Sequence, residues 1–564
     1  MRALIVTEKC GAPLDQRDGG ARLVESLRRG LGGPVDVMQF GAGAATGDGD
    51  ARYRHRYPVA GCDRFSRRVS NAAFVAERVS EVAPAYTHVL FVHVSMQFGL
   101  GPAPWPGVRT WTFPMFLTPS YLAAGERVPS AYTEMERRTL GSADRILTPS
   151  HFERRQLIDE YDVAQDRVRV VPRGVDRSLL SPRRRVLEGP PLFCSIGSIK
   201  RQKNTVGLIR LFQAIRTRHH GARLRIVGPV QDAAYAREVH EAVTTLRLEE
   251  AVELIGHVSP TELPQAIADA HVHLSASACE TFGRAIFETL ASGIPNLAPA
   301  RRNAAAEYLE HAPYAGFYED VEDALRRLDA MLGDYHRLSA MALEVGELFD
   351  DAQLCRLLAA ELREAEVFAV CDFDGTLYHK DAPERTRRSV DAFLRYPVRA
   401  VCSARPIPDL LTALEMLGVK VDFVIGWSGA VIADGAGNPI SRLGFSREEA
   451  DAIEARLPPG AARLTDGDTT LQFSVPCDPS RVDVPGTRLE AYQGTTFLGR
   501  WESSKLRAVH RLLRHLDWRG RVRAFGDGRY DEELLVYFDG MLVRPSGRAN
   551  GRIRLAQEVT HEHA

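Results

Sequence analysis

Lysine is scarce in this chain of 564 residues. Of the 72 basic residues 66 are arginines, and the six lysines stand at positions 9, 200, 203, 380, 420 and 505. A bias of this kind is typical of a GC-rich genome and says little about arginine chemistry. It makes each lysine worth inspecting, because lysine is a compact point charge that arginine does not replace.

The chain also lacks an excess of charge, a cysteine pair and a long apolar run. Its 72 basic and 73 acidic residues give a net charge of −1, which excludes a bulk attraction to nucleic acid or to an acidic membrane. The eight cysteines form no Cys-x-x-Cys pair. No apolar run approaches the roughly 20 residues of a membrane helix, and the first six residues are typical of a strand and not of a signal peptide. We expect a cytoplasmic protein with no membrane span and no nucleic-acid partner, and its oligomeric state stays open.

The length and the pattern of elements predict several α/β domains. A chain of this size is too long for one hydrophobic core, and 45% apolar with 26% charged residues is ordinary for a soluble globular protein. Strand and helix patterns alternate, which indicates parallel sheets. The predicted domains are 1–170, 171–335 and 366–555, with helices over 336–365 and an inserted α/β segment at about 445–498.

The first domain opens with a strand, a loop over Thr7–Gly20 and a helix. This arrangement directs free backbone N–H groups and a helix dipole at an anion, so Gly20 is a candidate ligand-binding position. A glycine before a helix is weak evidence alone. His93 ends a later strand, and it either reaches a cleft or is a buried structural histidine.

The second domain places two glutamates where a strand gives way to a helix. Glu280 lies in the predicted loop and Glu288 in the first turns of the following helix, so both can face one crevice. Gly283 between them permits a close approach of backbone amides to a phosphate. The alternative is a capping loop followed by a surface helix.

The context of these glutamates resembles a known family. Two α/β domains, Pro-x-Gly-Val-Asp, Gly-x5-Lys-Asn and the Glu-x7-Glu pattern together resemble the retaining GT-B glycosyltransferases of the GT4 type over residues 1–365. The resemblance implies that Glu280 contacts a donor sugar, Glu288 the nucleotide ribose and Lys203 the diphosphate of a nucleotide-sugar. The first domain would then bind the acceptor, and the helices over 336–365 would cross back onto it.

The chain departs from this family at two places. Ser198 stands where the family usually has an arginine, and either Lys200 or Arg201 could supply the missing charge. No histidine occurs near Trp111–Pro114, where the family tends to have one, and His93 is a possible substitute.

The C-terminal domain begins with a strand that ends in two acids. Asp372 and Asp374 are followed by Gly375, and a parallel strand presents such acids at the carboxyl edge of its sheet. Two carboxylates about 4 Å apart repel by about 4 kcal/mol at an effective dielectric near 20. A hard cation such as Mg²⁺ removes that cost. An Asp-Gly turn with no such function is the alternative.

These acids and three later motifs resemble the haloacid dehalogenase (HAD) phosphatases, type IIB, over residues 366–555. Ser403 matches the family's second motif and Lys505 its third, while Ser428 replaces the asparagine of an Asn-Gly-Ala segment. The resemblance implies that Asp372 is a nucleophile, Asp374 a general acid/base, and Ser403 and Lys505 phosphate ligands. The Mg²⁺ site is assigned to Asp372, Asp374, Asp527 and Asp531.

The predicted fold class is therefore α/β, with two Rossmann-like domains of the GT-B type followed by a HAD core that carries an inserted α/β cap. The predicted function is bifunctional: transfer of a sugar from a nucleotide-sugar to a phosphorylated acceptor, then Mg²⁺-dependent dephosphorylation of the sugar-phosphate product. One rival is a phosphatase whose transferase-like half only binds or regulates. The other is two unlinked activities, for instance in natural-product assembly.

Overall fold

The computed structural model describes residues 1–8, 19–41, 51–59, 62–102, 104–482, 484–492 and 494–543. Most of the predicted loop before Gly20, and residues 544–555 of the predicted C-terminal domain, lie outside these ranges. The chain divides into two compact units, Met1–Arg363 and Glu364–Ala564. In the described part of the chain no helix combines the length and the apolar character needed to cross a membrane.

The N-terminal half of the first unit contains a parallel sheet with helices between its strands. Its strands are β1 (Ala3–Thr7), β2 (Val35–Gly41), β3 (Tyr53–Arg56), β4 (His88–Val92), β5 (Arg109–Phe113), β6 (Arg145–Thr148) and β7 (Val168–Val170). Its helices are α1 (Gly19–Leu31), α2 (Arg64–Ser70), α3 (Ala72–Val82), α4 (Thr118–Ala123), α5 (Ser130–Ser142) and α6 (His151–Tyr161). The strand order is β3-β2-β1-β4-β5-β6-β7. The order reverses between β1 and β4, which is where open parallel sheets bind ligands.

A second parallel sheet follows, in the order β10-β9-β8-β11-β12-β13. Its strands are β8 (Leu192–Ile196), β9 (Arg223–Val227), β10 (Val252–Gly256), β11 (Val272–Leu274), β12 (Asn296–Pro299) and β13 (Ala315–Tyr318). Its helices are α7 (Thr205–Arg218), α8 (Ala233–Thr245), α9 (Leu263–Ala266), α10 (Arg284–Ala291), α11 (Ala305–Leu309) and α12 (Val321–Gly333). Here the order reverses between β8 and β11.

Three helices after the second sheet return to the first one. They are α13 (Tyr335–Ala342), α14 (Val345–Leu348) and α15 (Asp351–Leu362). Leu358 and Leu362 of α15 are buried in one cluster with Leu23 and Leu27 of α1. The helices approach closely at Gly30, where an added Cβ would lie 2.4 Å from the Cys355 carbonyl oxygen. The last helix of the first unit therefore packs on the N-terminal sheet.

The second unit has a mostly parallel sheet of its own and a separate antiparallel sheet. The main sheet runs β18-β17-β16-β15-β14-β23-β24, and the other β19-β20-β22-β21. The main strands are β14 (Val367–Asp372), β15 (Val398–Cys402), β16 (Phe423–Gly426), β17 (Val431–Asp434), β18 (Pro439–Arg442), β23 (Arg521–Gly526) and β24 (Met541–Leu542). The antiparallel sheet consists of β19 (Ala462–Asp466), β20 (Thr469–Val475), β21 (Thr487–Tyr492) and β22 (Thr495–Arg500). The helices are α16 (Pro383–Phe393), α17 (Ile407–Met416), α18 (Arg447–Glu454), α19 (Lys505–His515) and α20 (Glu532–Tyr537).

The antiparallel sheet and α18 form an insert between β18 and α19, which we call the cap. Its core consists of its own apolar residues, including Phe445, Phe473 and Leu498. The predicted α/β class, with parallel-sheet domains and an inserted cap in the last of them, is confirmed.

Gly293 ends helix α10 in a conformation that favours glycine. Its φ is +78°, its N–H donates to the Leu290 carbonyl at 2.8 Å, and the Ile294 N–H donates to the Thr289 carbonyl at 2.9 Å. This pair of bonds is the Schellman motif, which satisfies the last carbonyls of a helix. A Cβ on Gly293 would also lie 2.1 Å from the Arg183 carbonyl oxygen.

We expect Gly293→Ala to lower the stability of the first unit by about 2 kcal/mol or more, because a left-handed conformation costs about 1–2 kcal/mol and the backbone contact adds to it. Thermal unfolding measures the effect. Gly141→Ala is the control: Gly141 lies near the end of α5, and an added Cβ there meets no atom within 4 Å. Equal melting temperatures for the two variants would contradict the assigned strain.

Candidate functional site

The crevice of the second sheet brings Lys203 and Glu280 together. Lys203 follows β8 and Glu280 follows β11, the two adjacent strands at which the strand order reverses. The Lys203 ammonium donates to Glu280 Oε1 at 2.6 Å. Gln202 fixes the two loops to each other, because its side-chain amide donates to the Cys279 carbonyl at 3.1 Å. The sequence placed these residues in separate loops, and the sheet makes them one charged centre.

Electrostatics keep Glu280 ionised in this crevice. Burial by itself raises the pKa of the Glu280 carboxyl, but the charge and hydrogen bond of Lys203 outweigh burial, so the pKa is lowered. Gly197 leaves room for the lysine, since a Cβ there would lie 3.3 Å from Lys203 Cδ and Cε. A carboxylate held in its charged form can accept hydrogen bonds from sugar hydroxyls.

The structure distinguishes Lys200 from Arg201 as the substitute for the missing arginine. Burial lowers the pKa of the Lys200 ammonium to about 8, and the positive charges of Lys203 and Arg64 act in the same direction. Arg201 instead pairs with Glu238 and has 48% of its side chain exposed. Lys200 is therefore a buried ammonium with Lys203 and Arg64 on one side of the charge balance and Glu280 and Glu126 on the other, and an anion would stabilise it. Arg201 instead points to solvent.

Glu288 is buried on α10 and contacts a residue that the sequence had not indicated. Gly283 precedes α10 with a φ of +83°, as a position of close backbone approach requires. The Glu288 carboxylate accepts a hydrogen bond from Arg22 of α1, a helix of the N-terminal half. Gly20 lies two residues earlier, in the first turn of α1. The predicted loop thus ends two residues too late, an error usual for helix boundaries.

His93 follows β4 in a strained conformation, with a φ of +89°. Its Nδ1 accepts from the Ser95 N–H at 3.1 Å, and its Nε2 is buried with no hydrogen-bond partner among the described residues. Burial holds the pKa of the imidazole well below its usual value, so the ring is neutral. His93 is thus a strained histidine at a sheet edge with one buried ring nitrogen unpaired among the described residues, and both of its predicted roles stay open.

The second unit gathers acids and a lysine at the carboxyl edge of its main sheet. Asp372 ends β14, and Asp527 and Asp531 follow β23, the neighbouring strand. One carboxylate oxygen from each of these residues lies within 4.8 Å of the others. Lys505, the first residue of α19, donates to Asp372 Oδ1 and to Asp531 Oδ1, each at 2.7 Å.

These acids fit a hard divalent cation. Burial raises the pKa of the Asp372 carboxyl well above its usual value, and the neighbouring Asp531 adds to the shift against the effect of Lys505. The pKa of Asp527 is raised as well, again chiefly by burial. Buried carboxylate oxygens that repel one another are the donor set that Mg²⁺ takes in proteins.

Three of the four predicted metal ligands converge, and Asp374 is not one of them. Its two oxygens accept from Arg405 Nε and Nη2 at 2.8 and 2.6 Å, and 52% of its side chain is exposed. Asp374 stays away from the other acids because Arg405 holds it in a bidentate, charge-assisted pair, which is stronger than a single hydrogen bond. To serve as an acid or base, Asp374 must leave Arg405.

Two serines follow β15, which pairs with β14 in the main sheet, and β16, which pairs with β15. Ser403 is 2% exposed and its hydroxyl accepts from the Arg405 N–H at 3.2 Å. The Ser428 N–H donates to the Ser403 carbonyl at 3.0 Å, while the Ser428 hydroxyl donates to Glu490 of the cap. Arg22, Arg405 and Glu490 were not predicted, because folding brings each of them to its site. Arg405 lies two residues after Ser403 in the second motif, but its pairing with Asp374 is visible only in the structure.

Comparison with known families assigns both units. Residues 18–179 match the model for Glycosyltransferase Family 4, and residues 176–342 match the model for glycosyl transferases group 1. Residues 369–457 match the model for haloacid dehalogenase-like hydrolase.

Relatives of known name match parts of the chain. D-inositol 3-phosphate glycosyltransferase of Nocardia farcinica is 27% identical over 317 residues, covering 51% of this chain and 68% of its own length. Alpha-monoglucosyldiacylglycerol synthase of Streptococcus pneumoniae is 25% identical, covering 40% and 54%. Mannosylfructose-phosphate synthase of Agrobacterium fabrum is 24% identical, covering 36% and 48%. The chain thus spans about half the length of two of these relatives and two thirds of the third.

Solved structures agree on the fold. A sucrose-phosphate synthase from Thermosynechococcus elongatus superposes with a TM-score of 0.55 at 18% identity, covering 64% of this chain and 99% of that one. HepE of Anabaena, solved in complex with UDP, gives a TM-score of 0.50 at 15% identity, covering 64% and 100%.

The chain is an enzyme that joins two classes of catalytic domain. Its first unit belongs to the glycosyltransferases of the GT-B fold. Its second unit carries a haloacid dehalogenase-like hydrolase domain. The predicted fusion of these two families is confirmed.

We expect Lys505→Met to destabilise the second unit by about 3 kcal/mol when EDTA is present. The change removes the lysine ammonium that pairs with Asp372 and Asp531, and it leaves these buried acids unpaired. Thermal or urea unfolding measures it. Arg519→Met is the control: Arg519 pairs with Asp517 on the surface, where the two side chains are 75% and 63% exposed. Such a pair contributes less than about 1 kcal/mol. Equal losses in the two variants would show that Lys505 does not stabilise the acids.

Proposed function

We propose that the enzyme transfers a sugar from a nucleotide-sugar to a phosphorylated acceptor and then removes the phosphate from the product. The observation that carries this proposal is the pair of lysine–carboxylate centres, Lys203 with Glu280 and Lys505 with Asp372 and Asp531. Each lies where the strand order of a parallel sheet reverses. Two of the relatives are named for a phosphorylated acceptor or product, which supports the proposed substrate class.

The donor site is assigned to the crevice of the second sheet. Lys203 and Lys200 would neutralise the diphosphate, since both ammonium groups lie at the loop after β8. Glu288 would accept from the ribose hydroxyls after releasing Arg22, and Glu280 from hydroxyls of the transferred sugar. Gly20 and Gly283 each lie at the first turn of a helix, where backbone N–H groups can approach an anion.

The phosphatase step is assigned to the acid centre of the second unit. A Mg²⁺ ion held by Asp372, Asp527 and Asp531 would offset charge on the phosphoryl group. An Asp372 oxygen attacks phosphorus, the bond to the sugar oxygen breaks, and Asp374 gives that oxygen a proton. A water molecule then attacks the aspartyl phosphate, its proton passes to Asp374, and the bond to Asp372 breaks to release phosphate. Ser403 and Lys505 would hold the remaining phosphoryl oxygens.

The second reaction gives the first a direction. A glycosyl transfer can run backwards, whereas hydrolysis of the phosphate removes its product. The rival, a phosphatase whose transferase half only binds a ligand, is favoured by Ser198 and by the absence of a histidine near Trp111–Pro114. Lys200 removes the argument from Ser198, because it supplies a second cation in the crevice.

We expect Lys203→Ala and Lys200→Ala each to weaken the binding of UDP or GDP by about 1.5–3 kcal/mol, the range for a hydrogen bond to a charged group. Isothermal titration calorimetry measures the change. Arg201→Ala is the matched control, because that arginine is exposed and paired with Glu238. A larger loss in Arg201→Ala than in Lys200→Ala would reject the assignment of Lys200.

We expect Asp372→Asn to accumulate a glycosylated product that still carries its phosphate, because the variant loses the nucleophile and keeps the donor crevice. Removal of Mg²⁺ by EDTA should give the same product. Mass spectrometry of reactions with several nucleotide-sugars and phosphorylated acceptors detects it.

Glu280→Ala is the complementary variant, and it should stop product formation while phosphate release from added phosphorylated product continues. The two centres lie in different units, so the effects should be nearly independent. If wild type releases phosphate but no donor yields a glycosylated phosphate with Asp372→Asn, the transferase half is better described as a binding module.

A further inference from the structure

One face of helix α1 carries polar side chains that contact two helices distant in the chain. Arg22, Ser26 and Arg29 follow the repeat of a helix, so they form one row along α1. Arg22 donates to the Glu288 carboxylate on α10. Ser26 and Arg29 donate to the two oxygens of Asp351 on α15, at 3.1 and 2.7 Å. The row therefore fastens α1 at two separate points.

The contact between Arg22 and Glu288 is the more enclosed of the two. The Arg22 side chain is 19% exposed and the Glu288 side chain 9%, whereas Arg29 is 46% exposed. Within the part of the chain that the structure describes, each of these two charges has the other as its ion-pair partner and no second one. Removing Arg22 without a replacement would leave an enclosed carboxylate unpaired, which is unfavourable.

The carboxylate that Arg22 holds is the one assigned above to the ribose of the nucleotide. The two neighbouring hydroxyls of a ribose match the two oxygens of one carboxylate, and each hydroxyl donates as a guanidinium does. Arg22 already donates to Glu288 Oε1. A ribose that uses both oxygens therefore has to displace Arg22.

We propose that the pair of Arg22 and Glu288 is an inhibitory latch on the nucleotide site, closed in the absence of nucleotide and opened when the ribose hydroxyls take the place of Arg22. The inference rests on the proposed function and names the regulation of its first site. Nucleotide then binds only to the fraction of molecules with an open latch, which lowers the apparent affinity by that fraction. Asp351 holds α1 during the exchange, because its contacts to Ser26 and Arg29 do not involve Glu288.

Isothermal titration calorimetry with UDP and GDP tests the latch. We expect Arg22→Met to tighten the binding of the nucleotide that wild type accepts by about tenfold, because the open state no longer competes with a closed one. Arg22→Gln should tighten it by a smaller factor, because the amide still donates but carries no charge. The 2′,3′-dideoxy form of that nucleotide has no hydroxyls for Glu288, so its Kd should be the same in wild type and Arg22→Met.

Arg29→Met is the matched control. It removes an arginine from the same row of α1 without touching Glu288, and it should leave the Kd of the nucleotide unchanged. Equal tightening by Arg29→Met and Arg22→Met overturns the latch, because both changes then act by loosening α1. Equal or weaker nucleotide binding in Arg22→Met and Arg22→Gln also overturns it, and shows that Arg22 orients Glu288 or contacts the nucleotide itself.

Glu288→Gln separates the latch from the nucleotide site. This variant should bind the nucleotide more weakly than wild type, and adding Arg22→Met to it should bring no gain, because the carboxylate that Arg22 holds is gone. A gain in the double variant equal to that in Arg22→Met overturns the latch. If Glu288→Gln binds as wild type does, or if neither UDP nor GDP binds to wild type or to Arg22→Met, the nucleotide site of the proposed function falls, a result distinct from loss of the latch alone.

Discussion

A lysine ammonium placed against carboxylates at the edge of a parallel sheet is the interaction on which both sites depend. In the first unit Lys203 holds Glu280 ionised, and in the second Lys505 joins Asp372 to Asp531. Neither arrangement would persist with one partner alone, because a buried unpaired charge costs several kcal/mol. Lysine is scarce in the chain, and three of its six lysines, Lys200, Lys203 and Lys505, lie in these two sites.

The two sites suit ligands of opposite charge. Lys200, Lys203 and Arg64 outnumber Glu280 and Glu126 around the first crevice, and this excess of positive charge suits a diphosphate. Asp372, Asp527 and Asp531 make the second centre rich in acids, which suits a metal ion. The negative diphosphate of a nucleotide-sugar is therefore complementary to the first unit, and a positive magnesium ion is complementary to the second.

Much of the fold and of both sites could be predicted from sequence, because most of the predicted residues follow a strand or begin a helix within a recognisable motif. Asp372, Lys505, Asp527 and Asp531 were assigned together, and the structure brings them together. Asp374 departs from the prediction, since its carboxylate is exposed and free to pair with Arg405. Arg22 and Glu490 could not be predicted, because both come from elements that are distant in sequence and carry no motif of their own.

Sequence alone therefore determined the residue types, their order and the strands that carry them, since local pattern and spacing are visible in one dimension. Only the tertiary structure decided which charges pair. The reversal of strand order brings the loop after β8 beside the loop after β11, and β14 beside β23. The tertiary structure also gives Lys200 and Arg201, two neighbours in the chain, different surroundings, because it buries the first and exposes the second. That difference depends on which surface the loop presents to its own sheet, and no spacing rule encodes it.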